Sequence, residues 1–241
     1  MTSRFLARYS DRLNTHTCST EGCSRTARTM SGRCSACTHR MRRFGHPLQA
    51  LPSTAELDKY VRRLEEARGR LKLLDIEALE RRWTELVADC RGRATPTFKD
   101  QKVLTYNGWE REASALIRDI SESISFTRAL DLLGAIHLMQ IERGAFRSDE
   151  ALACCTVELM RRAANVGTKV VSMNAHNGTI SNSYRREMSR NTRLAAARLL
   201  NVGLGAAAVA LAKREAKRAD ETKATRTDYW AAVAAIEQAT A

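Results

Sequence analysis

Four of the seven cysteines fall within twenty residues, in the order Cys18-x4-Cys23-x10-Cys34-x2-Cys37. Two close pairs separated by a loop let each pair turn sharply and present both sulfurs to one ion. Zinc takes four such thiolates in a tetrahedron. Gly22 precedes Cys23 and Gly32 lies two residues before Cys34, so each turn contains a residue tolerant of positive φ. The stretch between the pairs, SRTARTMSGR, is too polar to build a core of its own. Such a segment has little reason to fold without its metal. The spacing predicts one Zn2+ per chain, held by Cys18, Cys23, Cys34 and Cys37. His16 and His39 are alternative single ligands, but His39 is only two residues past Cys37, an awkward geometry, so the four sulfurs are preferred. The cysteine count is odd and no segment reads as an export signal, which argues against a disulfide framework.

The rest of the chain reads as helical. Only 3 prolines occur in 241 residues, 44% of residues are hydrophobic, and Ala, Leu, Glu and Arg are abundant. The expected fold is mostly α: an N-terminal zinc module followed by a multi-helix body. Residues 1–17 form a basic arm, with Phe5, Leu6, Tyr9 and Leu13 on one side, and residues 18–47 form the zinc module. A short linker, HPLQALP, leads to a helical body over 54–165, and residues 168–241 hold a basic helix and C-terminal helices.

Within the body, Ser53 with Glu56 makes a capping box. Two offset stripes over 54–91 fit two helices or one bent helix. Helical period returns over 109–143 and again over 148–165, with Gly167 as the stop. Residues 168–182 lack helical period and hold a strand over 169–173 or a loop. A basic helix begins at Ser183 and runs into an apolar stretch, 199–212, too short for a bilayer span and read as a buried helix. Residues 219–227 form a polar connection before a last short helix over 228–239, with Tyr229, Trp230, Val233 and Ile236 on one face.

The net charge of +13 points to anionic partners, nucleic acid first. It is concentrated in two blocks. Residues 1–50 carry nine arginines against two acids, and residues 151–200 carry eight basic residues against two acids.

The segment CSTEGCSRTARTMSGRCSACTHRMRRFGHP resembles the small treble-clef zinc modules of actinobacterial and phage proteins, often found beside HNH-type homing endonucleases. Cys37 stands where many members carry histidine, Met41 where Trp is usual, and His46 where Asp is usual. The resemblance covers residues 18–47. It implies that the last ligand pair opens a helix from which Arg40, Arg42 and Arg43 project, with Arg25, Arg28 and Arg33 in the loop between ligand pairs. Guanidinium groups suit bidentate contacts with phosphate or guanine edges. In the second block, Arg185, Arg186, Arg190 and Arg193 lie in SYRREMSRNTR, and 186, 190 and 193 share a face if that segment is helical. A solvated basic surface is the plainer alternative for both blocks.

Signatures of catalysis are missing. No Walker A loop, GxGxxG, GxSxG or paired-carboxylate motif occurs. His176 lies in a polar loop with Asn174 and Asn177 but lacks a companion histidine for an HNH-type site. His137, in AIHLMQ, reads as a core or interface residue, and Cys154 and Cys155 read as buried thiols. The expected function is therefore a zinc-containing, duplex-DNA-binding regulator or accessory factor of a phage or mobile element. It is expected in a bacterial cytoplasm or associated with a virus, with no membrane partner, and with the helical body available for self-association or a protein partner. A structural or assembly protein whose zinc module holds a protein or RNA partner, and a divergent nuclease, are the alternatives.

Overall fold

The structure, a computed structural model, describes residues 16–27, 32–94, 106–166, 170–173, 180–183 and 187–240. The predicted basic arm up to residue 15, and the loop containing His176, lie outside them.

A two-residue hairpin, β1 (His16–Thr17) with β2 (Thr26–Ala27), pairs antiparallel and leads to α1 (Ser35–Phe44). The body follows as α2 (Thr54–Arg68), α3 (Leu73–Ala94), α4 (Gly108–Ser123), α5 (Phe126–Arg143) and α6 (Asp149–Ala163). A second antiparallel hairpin, β3 (Val170–Met173) with β4 (Ile180–Ser183), precedes α7 (Arg190–Leu200). A π-helical turn, Asn201–Gly205, joins α7 to α8 (Ala206–Thr240).

Short polar side chains start these helices by accepting from otherwise unpaired N–H groups. Ser53 accepts from the Glu56 N–H, Ser125 from Arg128, Ser148 from Ala151 and Ser189 from Thr192. The Glu56 side chain does not close the expected capping box. It pairs instead with Arg143 of α5, a partner invisible to local spacing. Asn107 starts α4, where the Glu110 carboxylate accepts from the Asn107 N–H at 2.9 Å.

Four expectations need correction. The periodic run 109–143 is two helices, because Ile124 is extended and Ser125 caps anew. The helix expected to stop at Gly167 ends at Ala163, with Asn165 taking the left-handed conformation (φ 52°). The basic helix does not begin at Ser183, which lies in β4, but at Arg190 behind its Ser189 cap. The polar connection at 219–227 is helical and continuous with the rest of α8, since it contains neither Gly nor Pro to break the helix.

α5 is the central helix. Its long buried run from Leu130 to Met139 packs against α2, α6 and α8. α4 lies between α3 and α7, and α7 also packs on α6. One continuous apolar core reaches from Phe44 to Ala216. The predicted module, body and C-terminal region thus share packing through Phe44, Leu200, Leu204 and Leu211. One 18-residue window within Arg190–Val233 is long and apolar enough to cross a membrane, with mean hydropathy 1.7, and half of it is buried against the body.

Candidate metal centre and basic surface

β1 delivers Cys18 into a tight turn. The Cys18 N–H donates to the Arg25 carbonyl at 2.8 Å and the Cys23 N–H to the Thr20 carbonyl at 3.0 Å. Gly22 (φ 75°) and Gly32 (φ 70°) take the left-handed conformations that the two turns require. Cys34 is the N-cap of α1, and its sulfur accepts from the Cys37 N–H at 3.4 Å, so the second pair sits on the first turn of a helix.

All four Sγ atoms lie within 4.8 Å of one another. Cys23 Sγ is 3.6 Å from Cys37 Sγ and 3.9 Å from Cys34 Sγ. A tetrahedral ion bound at about 2.3 Å sets sulfurs about 3.8 Å apart, so the cage has the right edge length for such an ion. Cys18, Cys34 and Cys37 are buried, and together with Ala27 they form a small core separate from that of the body.

The thiols are in contrasting environments. The Thr20 hydroxyl and the Cys34 N–H, the latter donating to Cys18 Sγ at 3.2 Å, pull the Cys18 thiol down to about 6. Burial pushes the Cys37 thiol up to about 12. A buried thiol beside three others holds its negative charge only against a cation, which is what a metal supplies. Neither weighed histidine joins the set. His16 and His39 are exposed, and His39 faces Glu187 at 4.0 Å. Among the described residues these four cysteines are the group arranged to hold a metal.

The candidate DNA-binding arginines divide into four groups. Arg25 and Arg42 are exposed and Arg40 is half-buried, and none has a carboxylate partner among the described residues. Arg33 lines an open groove with Ser19, Glu21, His46, Leu48 and Arg147. Arg28, Arg185 and Arg186 lie outside the described residues.

Arg43 and Arg193 turn inward, and Arg190, though exposed, is held by an acid. Arg43 lies 2.8 Å from Glu158 of α6 and 3.5 Å from Glu187. Arg190 pairs with Glu150. Arg193 is 2% exposed and faces Glu187 at 3.6 Å. The surface role expected of Arg193 is at odds with this burial. Its helix presents it to α6 because the face it shares with Ala196, Ala197 and Leu200 is the buried one.

This ion cluster fastens the metal module to the body, and the sequence reasoning missed its centre. Glu158 sits on a helix whose neighbouring positions, Cys155 and Leu159, are core, and an acid on an apolar face is the signal that was available. Gln49, assigned to a linker, is 3% exposed. Its amide donates to the Ala145 carbonyl and accepts from the Arg147 N–H, tying the segment after α1 to the start of α6. Cys154 and Cys155 are buried as expected, and Cys90 is buried too, with all three thiols raised by burial, Cys154 to about 11 and Cys155 to about 12. His137 is half-buried, and its surroundings lower its proton affinity. No family model, no curated protein and no solved structure matches the chain.

Proposed function

We propose that the chain is a zinc-containing protein that binds duplex DNA through its N-terminal module, as a regulator or accessory factor of a phage or other mobile element. The observation that carries DNA binding is the set of Arg25, Arg40 and Arg42, three guanidinium groups without acidic partners among the described residues, held on a small metal-anchored frame. Cations fixed before the ligand arrives bind at lower entropy cost. Zinc is the ion favoured by four thiolates in a closed, largely buried cage with tetrahedral edge lengths. Phe44, the aromatic of α1, is buried in the body core and offers no stacking platform, which favours a duplex over a single strand. The mobile-element context rests on the resemblance of residues 18–47.

The test is fluorescence anisotropy on a labelled duplex across a salt series, with zinc content measured on the same protein. Each neutralised phosphate contributes about −0.9 to the slope of log K against log salt. Arg25→Ala, Arg40→Ala and Arg42→Ala together are expected to flatten the slope by up to about 2.7, with zinc retained. Equal slopes for the two proteins overturn the reading.

A second reading, a structural or assembly protein, is favoured by the pairing of Arg43, Arg190 and Arg193 with glutamates of the fold. There the module's charge serves internal fastening, and its outer face meets a protein or RNA partner. Zinc-loaded protein with no duplex affinity supports this one.

A further inference from the structure

The outer part of α8 has no packing partner among the described residues. Its early turns sit on the body through Ala208, Leu211, Ala212 and Ala216, whereas residues 220–232 are exposed on every side. At 1.5 Å per residue the run from 217 to 240 extends about 36 Å. In proteins most helical stability comes from burying a face rather than from propensity. This one has a face to bury. Tyr229 is 62% and Trp230 57% exposed, with their rings edge to face and centroids 5.5 Å apart, and Val233 follows one turn on. Exposed aromatics paired in this way are typical of contact sites.

Charge selects the occupant. Residues 217–226 carry Lys217, Arg218, Lys223 and Arg226 against Asp220 and Glu221, while residues 227–241 carry Asp228 and Glu237 and no cation. Lys223, Arg226 and Asp228 have no ion pair among the described residues. A second copy laid antiparallel sets the acidic, aromatic end of each helix over the basic stretch of the other. Two-fold symmetry makes both contacts at once. Parallel pairing sets like charges together. An anionic lipid surface is a poorer match, because the aromatic end, which would enter it, carries only acids. We propose that α8 pairs antiparallel with α8 of a second copy through the Tyr229–Trp230 face, making the chain a homodimer.

The test is sedimentation equilibrium on the full, zinc-loaded chain. Wild type is expected as a dimer. Trp230→Glu is expected as a monomer with unchanged zinc content. Lys217→Glu with Lys223→Glu and Arg226→Glu is also expected to dissociate the dimer. Adding Asp228→Lys and Glu237→Lys to that chain restores opposite charges across an antiparallel pair and is expected to recover the dimer. A wild-type monomer throughout the micromolar range overturns the proposal, as does a Trp230→Glu dimer. A combined variant that is folded and zinc-loaded yet still monomeric also overturns it, and so does a wild-type monomer that floats with phosphatidylglycerol vesicles. None of these outcomes depends on whether the protein binds DNA.

Discussion

Glu158 is the charge on which docking of the metal module most depends. Its side chain is 1% exposed and lies 2.8 Å from both Arg43 and Arg161, with Arg162 at 3.3 Å. Burial by itself raises a carboxyl. Here the Arg161 and Arg43 guanidinium groups more than reverse that effect and hold Glu158 at about 2, against an ordinary 4.5. At about 1.4 kcal/mol per pH unit, the native contacts favour the charged form by about 3 kcal/mol relative to the unfolded chain. Because the folded value lies below the unfolded one, this stabilisation is complete above about pH 4.5 and disappears as pH falls towards about 2. Glu158→Gln keeps the volume but leaves Arg161 without a counter-charge and Arg43 with only the exposed Glu187, and about 3–5 kcal/mol is the expected loss at pH 7. Urea unfolding followed by circular dichroism measures it, on wild type and variant in parallel. The gap should close as pH falls from about 5 to about 2.5. Acid also strips metal from thiolates, but it does so in both proteins and cancels in the difference. Arg43→Met on each background completes a cycle, in which the double variant should lose about 2 kcal/mol less than the two single losses added. A Glu158→Gln loss under about 1 kcal/mol, or a gap that does not change with pH, refutes the assignment.

Cys18→Ser or Cys37→Ser should abolish stoichiometric zinc by metal analysis while the helices of the body persist by circular dichroism, with a lower urea midpoint because Phe44 and Arg43 lose their anchored helix. Chelation should release four thiols to a disulfide reagent, whereas Cys90, Cys154 and Cys155 stay protected until the body unfolds. Gly45→Ala should cost about 1–3 kcal/mol by urea titration. Gly45 has φ 72°, and a Cβ there would lie 2.6 Å from Glu150 Oε1, disturbing the pairing of that carboxylate with Arg190. Arg68→Met should lower the thermal midpoint more at pH 7 than at pH 4, because it leaves Asp131, 1% exposed and held by Arg68 at 2.8 Å, as a buried unpaired charge.

The metal cage and the helix starts were the most legible features, for a common physical reason. The sulfur pairs at 18/23 and 34/37 act through turns of a few residues, and Ser53 and Ser148 act on N–H groups within their own first turn. Information of that range is printed in the chain as spacing. The apolar stripes were legible too, since Leu57, Val61 and Leu64, or Ala113, Leu116, Ile117 and Ile120, recur with the helical period and are buried together.

What spacing cannot show is which charge meets which across the fold. Arg40, Arg42 and Arg43 are neighbours in sequence, and spacing alone gives them one role. On α1 their side chains point in different directions, so Arg43 meets Glu158, 115 residues away, while Arg42 faces solvent. Arg193 was grouped with Arg190 as a basic face, yet the small residues around it, Ala195, Ala196 and Ala197, allow α7 to approach α6 closely and carry the guanidinium inside. A basic block is therefore a sum over residues with different destinations. Arg43 joins module to body through the buried Glu158, and Arg190 and Arg193 pair with Glu150 and Glu187. Within the module, the guanidinium groups without a carboxylate partner among the described residues are those of Arg25, Arg40 and Arg42, and the proposed DNA affinity should track those three residues rather than the net charge of the chain.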